Sequence, residues 1–128
     1  MEAAAFGAKL SGAEVVPNFA QPLAVEITKK LSKLHACEMP QLQSAGDMFA
    51  AALGASAVGR RAFIACSSPL AYETFSAPFM RLPFVAVNVS RSLHGVKPDH
   101  AAIMALRDAG YLMFFPESNQ EIHDTVLH

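Results

Sequence analysis

Helical and strand patterns alternate along this 128-residue chain and predict an α/β fold: a three-layer sandwich with a mainly parallel sheet. Arg61–Cys66 and Leu82–Val89 are continuously apolar, the pattern of strands buried on both faces of a parallel sheet. Pro22–Leu34 places Leu23, Ile27, Leu31 and Leu34 at helical spacing, with Lys29, Lys30 and Lys33 on the wet side. Apolar residues make up 52% of the chain, enough for one packed core and too many for a disordered segment. The length suits one small domain, residues 1–128.

The remaining elements follow in order. Glu2–Leu10 is Ala-rich and predicts a helix that stops at Gly12. Ala13–Val16 is a short apolar run closed by Pro17 and Asn18. His35–Met39 reads as a brief strand. Leu42–Val58 carries so many Ala, Gly and Ser residues that it suits a buried helix closely approached by another backbone. Pro69–Met80 reads as a helix weakened by Pro78, and His100–Ala109 as a short helix stopped by Gly110. Tyr111–Phe115 is expected as a further buried strand. Glu117–His128 is a helix opening with acidic residues, its apolar side formed by Ile122, Val126 and Leu127. That helix has no C-cap, so the domain is expected to be shortened at its C-terminus relative to a longer chain.

In parallel sheets ligands meet the loops that follow the strand C-termini. Those loops are 17–21, 40–42, 67–69, 90–99 and 116–119. The formal charge of −1 leaves no electrostatic footprint for nucleic acid. No charged leader precedes an apolar stretch, and no apolar run reaches about 20 residues, so a cytoplasmic location is expected. Cys37 and Cys66 lack CxxC spacing and are expected as buried, reduced thiols rather than metal ligands.

The side chains at these loops leave several readings open. Ser67 and Ser68 follow a strand, and either binds a ligand or caps the next helix; no GxSxG elbow surrounds them. Arg91 follows another strand, where a guanidinium holds a carboxylate through paired hydrogen bonds or simply faces solvent. Asp99 and His100 form an acid–base pair or a helix start. His94, His123 and His128 have no ligand spacing and are expected to face solvent. Phosphate-loop patterns are absent, as is a GDG segment of the kind that binds magnesium and diphosphate in thiamine enzymes.

Six strings in order carry a more specific signal: AAALGASAVGRRAF at 50–63, IACSS at 64–68, MRLPFVAVNVSRSL at 80–93, DH at 99–100, MALRDAGY at 104–111 and ESNQE at 117–121. Together they resemble the pyrimidine-binding first domain of the alpha subunit of pyruvate:ferredoxin and related 2-oxoacid:acceptor oxidoreductases, from about residue 2 to the end. The resemblance implies a fold of the thiamine-diphosphate-binding, pyrimidine-domain type. It implies a cytoplasmic hetero-oligomer that carries out thiamine-diphosphate-dependent oxidative decarboxylation of a pyruvate-type 2-oxoacid. The cofactor is shared with a partner domain that holds Mg2+, while iron–sulfur clusters and coenzyme A belong to partner subunits or domains and electrons pass to ferredoxin. A chain of this kind is not active alone.

Carried over by position, Arg91 falls on the arginine that contacts the substrate carboxylate. Ser67 and Ser68 fall on the turn beside the cofactor. Asp99 and His100 match the family's GDH string, with Pro98 in place of the glycine, and are expected as site architecture or a helix start rather than as catalytic residues. Two positions depart. The substrate-touching threonine of the first loop is replaced by Pro22 or its neighbour, which offers no hydroxyl and no N–H. The carboxylate that pairs with the pyrimidine is expected nine residues before Gly54, where this chain has Ala45. Glu38 is the nearest acid able to take the catalytic role, if the turn is lengthened. Asp47 points about 200° away from Ala45 on a helix, and Gln43 is uncharged. The alternatives are a non-catalytic assembly module of the same complex and an unrelated small α/β binding protein.

Overall fold

A computed structural model describes residues 1–19, 24–67, 84–89, 104, 107–108 and 114–127. Helix α1 spans Glu2–Leu10, as its alanines favour. Its end is set by Gly12, whose φ of 73° is open to a residue without Cβ; the turn is closed by Gly12 N–H to Lys9 O and Ala13 N–H to Ala8 O. The chain then runs through Ala13–Asn18 into the sheet.

That segment lies between two neighbours. Val15 bridges Glu38 on one side and Ala62 on the other, both parallel, and Asn18 bridges Gln41. Backbone bonds from Val16 N to Glu38 O and from Phe63 N to Val15 O continue the ladder. Strands β1 (Ala62–Ser67) and β2 (Phe84–Val89) pair in parallel, from Ala62 opposite Phe84 to Ser67 opposite Val89. The spatial order is therefore 38–41, 15–18, β1, β2. Helix α2 (Ala24–Leu34) connects the 15–18 segment to the 38–41 segment; helix α3 (Ala45–Ala57) leads from there to β1. Ser44 caps α3, its Oγ accepting from Asp47 N–H. Helix α4 spans Asn119–Leu127, with Ser118 Oγ accepting from Glu121 N–H.

The period-two alternation of β1 divides the core in two. Phe63 and Ala65 join Ala5 and Ala8 of α1, Ile27 and Leu31 of α2 and Val126 of α4. Ala62, Ile64 and Cys66 join Met48, Phe49 and Ala52 of α3. Helices thus cover both faces of β1, which is why its sequence shows no polar alternation. Where α1 meets α4, Gly7 lets the helices touch: a Cβ there would lie 2.9 Å from His123 O and 3.0 Å from Val126 Cβ.

Several expectations are corrected. Helix α3 buries a single stripe, Ala45, Met48, Phe49, Ala52 and Ser56. Ala50, Gly54 and Ala57 face outward, and among the described residues nothing lies within 4 Å of a Cβ placed on Gly54. Its large residues choose the buried side, and the small ones fall elsewhere on the wheel. Phe114 and Phe115 are exposed and lie outside any strand. Leu127 is 36% exposed although Val126 is buried. His123 is half-buried beside the Phe6 ring rather than solvent-facing, and its Nδ1 lies 2.9 Å from Asp124 Oδ1. Cys37 is half-buried, not buried. Met104, Arg107 and Asp108 are helical, within the helix expected at 100–109. The helix expected over 69–80 lies outside the described residues. So do residues 111–113 of the expected strand.

Candidate functional site

The C-terminal ends of the parallel segments gather Asn18, Gln41, Ser67 and Val89 along one edge of the sheet. Two of these segments end alike. Each closes its run with a proline and then offers a carboxamide: Pro17-Asn18 and Pro40-Gln41. Leu42 N–H donates to Asn18 O and Asn18 N–H to Pro40 O, locking the two ends together. The side chains join as well, Asn18 Nδ2 donating to Gln41 Oε1 at 3.2 Å. This pair was not singled out from the sequence; the repeated proline–carboxamide ending was the signal that could have found it. Helix α3 begins beside it, so the first turn of α3 belongs to the same edge.

Ser67 is the last residue of β1 and the register partner of Val89. Ser68, Arg91, Asp99 and His100 lie outside the described residues, as does Pro22.

Glu38 is elsewhere. Its backbone pairs with Val15, which in turn pairs with Ala62, the first residue of β1. Ser67 is five residues further along the strand, roughly 16 Å away. The Glu38 carboxylate is exposed and accepts from Arg60 Nη1 at 3.0 Å. Arg60 Nε also lies 3.8 Å from Glu14, whose other oxygen accepts from Arg61 N–H, and Arg61 Nη1 donates to Ser11 O. This network ties the strand N-termini together. The catalytic role expected of Glu38 does not suit this position, because the acid sits at the edge opposite the strand C-termini.

Position 45 holds a buried alanine, 1% exposed, on the stripe of α3 that faces the sheet. Asp47 and Gln43 are exposed. Burial pushes the Cys66 thiol up to about 11, and it raises that of Cys37 as well, so neither is a ready thiolate. Among the described residues no three His, Cys, Asp or Glu side chains could hold a metal ion, and no helix is long and apolar enough to cross a membrane.

Comparison with known proteins adds an independent finding. The family described as pyruvate flavodoxin/ferredoxin oxidoreductase, thiamine diphosphate-binding, matches residues 20–128. The pyruvate synthase subunit PorA of Pyrococcus horikoshii is 34% identical over 98% of this chain, and the ketoisovalerate oxidoreductase subunit VorA of the same organism is also 34% identical over 98%. The chain spans about a third of the length of these relatives (35% of each). Among solved structures, the 2-oxoglutarate:ferredoxin oxidoreductase of Magnetococcus marinus superposes with a TM-score of 0.64 at 24% identity, over 70% of this chain and 17% of that one. That likeness bears on the fold alone.

Proposed function

Because this chain belongs to the pyruvate flavodoxin/ferredoxin oxidoreductase family of thiamine-diphosphate-binding domains, we propose that it forms the pyrimidine-side wall of the cofactor site in a 2-oxoacid:ferredoxin oxidoreductase. The assembly carries out oxidative decarboxylation of a pyruvate-type 2-oxoacid. A partner subunit or domain holds the diphosphate and Mg2+, and iron–sulfur clusters and coenzyme A sit in partners. The location is the cytoplasm.

One observation carries this reading. Ser67 and Val89 are register partners at the ends of adjacent parallel strands. Ser68 follows the first directly, and Arg91 follows the second by two residues, within about 7 Å of chain. The serine turn and the arginine therefore depart from one edge, where ligands of parallel sheets are held. Ser67 and Ser68 border the cofactor, Arg91 takes the carboxylate of the 2-oxoacid, and Asp99 with His100 shapes the adjoining corner. The described residues fit a wall for the ring but not the acid that would pair with it, since Ala45 stands at that position and Glu38 is engaged with Arg60.

The experiment is the Arg91→Ala variant in the assembled complex, with Arg91→Lys beside it. Loss of paired bonds to a carboxylate is expected to weaken apparent 2-oxoacid affinity by roughly 10- to 100-fold. Lysine, a point charge without the planar fork, is expected to restore part of it. An unchanged affinity in Arg91→Ala refutes the carboxylate role.

A further inference from the structure

We infer that the outer edge of the 38–41 segment is a self-pairing surface, at which two copies of this chain join edge to edge and antiparallel across a two-fold axis at Met39. The inference stands on the fold alone and does not depend on the proposed function.

The ladder on the inner side fixes which main-chain groups point outward. Glu38 N–H donates to Glu14 O, and Glu38 O accepts from Val16 N–H. Pro40 O accepts from Asn18 N–H, and Leu42 N–H donates to Asn18 O. Residues 38, 40 and 42 thus turn their main-chain groups inward. By strand alternation Cys37, Met39 and Gln41 turn theirs outward, and among the described residues no main-chain bond reaches them. Ala36, Glu38, Pro40 and Gln41 are exposed. Proline and charge commonly blunt such an edge. Here the N–H that Pro40 lacks belongs to the inner side, so the outer row keeps its donors. None of the row's residues is charged, and the Glu38 carboxylate between them is engaged with Arg60.

The row is complementary to itself in one register. With Met39 on the axis, each Met39 N–H meets the other copy's Met39 O, and Cys37 exchanges both bonds with Gln41 of the other copy. Glu38 then faces Pro40. Centring the axis on Glu38 would set two like charges directly opposite, which is unfavourable. It would also call on His35, whose N–H is already spent on Leu31 O at the end of α2. Centring on Pro40 would leave Cys37 opposite Gln43, where the chain has turned toward the Ser44 cap of α3. In the favoured register the strand C-termini of the two copies point in opposite directions, so each copy keeps its own ligand edge. An edge contact this short makes a weak pair, and trapping it covalently is the direct readout.

The experiment is a disulfide trap in the full chain. Cys37 lies opposite position 41 of the other copy in a hydrogen-bonded pair, with Cα atoms about 5.5 Å apart, a span that a disulfide fits. Within one copy the same two positions are separated by roughly 13 Å of extended segment, which no disulfide bridges. Gln41→Cys, at an exposed position, is therefore expected to give a covalent dimer under oxidised glutathione. Peptide mapping is expected to join Cys37 of one copy to position 41 of the other, and adding Cys37→Ser is expected to abolish that link. Met39→Pro removes the donors at the axis and no inner bond, and is expected to lower the yield about tenfold; its urea midpoint shows whether the chain still folds. A chain that stays monomeric, or a dimer linked mainly through any other pair of positions, overturns the inference. So does a yield that a folded Met39→Pro chain keeps in full. If that variant does not fold, the position of the Gln41→Cys link decides by itself.

Discussion

Cys66 lies between β1 and α3 in the cluster with Met48 and Ile64, and burial pushes its thiol up to about 11 from an ordinary 9.0. The folded chain therefore keeps a proton that the unfolded chain loses first. Below pH 9 both states hold it, and ionisation of Cys66 has no effect on stability. As pH rises from 9 to about 11, the unfolded state alone deprotonates, and stability falls by roughly 2–3 kcal/mol. Urea midpoints measured across that interval are expected to drop for the unaltered chain and to flatten in Cys66→Ala, after allowing for the constant cost of the smaller side chain. A second residue-scale expectation concerns Glu38. Its pairing with Arg60 is exposed, so Glu38→Gln is expected to cost under about 1 kcal/mol and less at high salt. Cofactor affinity in the assembled complex is expected to stay unchanged. A fall of tenfold or more would return Glu38 to the cofactor site. The sequence pointed to Glu38 because it is near Ala45 along the chain. Distance along a strand is invisible until its partners are known, and the Val15 bridges put Glu38 at the wrong end.

Elements were read well wherever a local rule decided them. Glu2–Leu10 was read to the residue, since Ala propensity and the Gly12 stop are both local. The start of α3 came out three residues late, for the usual reason that caps set boundaries; Ser44 is the cap for α3. Which side of α3 is buried needed the sheet, and a run of small residues misled because smallness permits close approach without causing it. The α1–α4 contact is the reverse case. Nothing in the sequence marks Gly7 as a contact, yet His123 O and Val126 would both be too close to a Cβ there. Gly7→Ala gains helix propensity but must push α4 away, and His123 O is backbone that cannot rotate aside. A net loss of about 1–3 kcal/mol is expected from overpacking, read as a lower urea midpoint. If the alanine variant is more stable than the original, the helices are not in the contact described.

At the scale of the whole molecule, the two apolar strands and the helix between the 38–41 segment and β1 made the parallel sheet legible, because continuous apolar runs have few other uses. That strand ends gather at one edge was legible, and Ser67 with Val89 ends there. The Asn18–Gln41 pair was not legible, since it depends on register between segments 23 residues apart. One further consequence belongs to this scale. The described surface exposes Phe114 at 61%, Phe115 at 65% and Val58 at 75%, and the small-residue side of α3 stands uncovered near Val58. Large exposed apolar side chains bind other apolar surfaces, including environment-sensitive dyes. The chain on its own is therefore expected to enhance the fluorescence of an anilinonaphthalene dye and to self-associate as its concentration rises. Mixing with the proposed diphosphate-binding subunit is expected to suppress both, because the proposed shared site requires the two walls to meet. Val58→Lys separates the contributions: if α3 forms the covered face, the charge weakens assembly while leaving the urea midpoint nearly unchanged, as expected for a side chain outside the core. A chain that shows no dye response, or one whose response persists unchanged in the complex, places the apolar surface outside the interface.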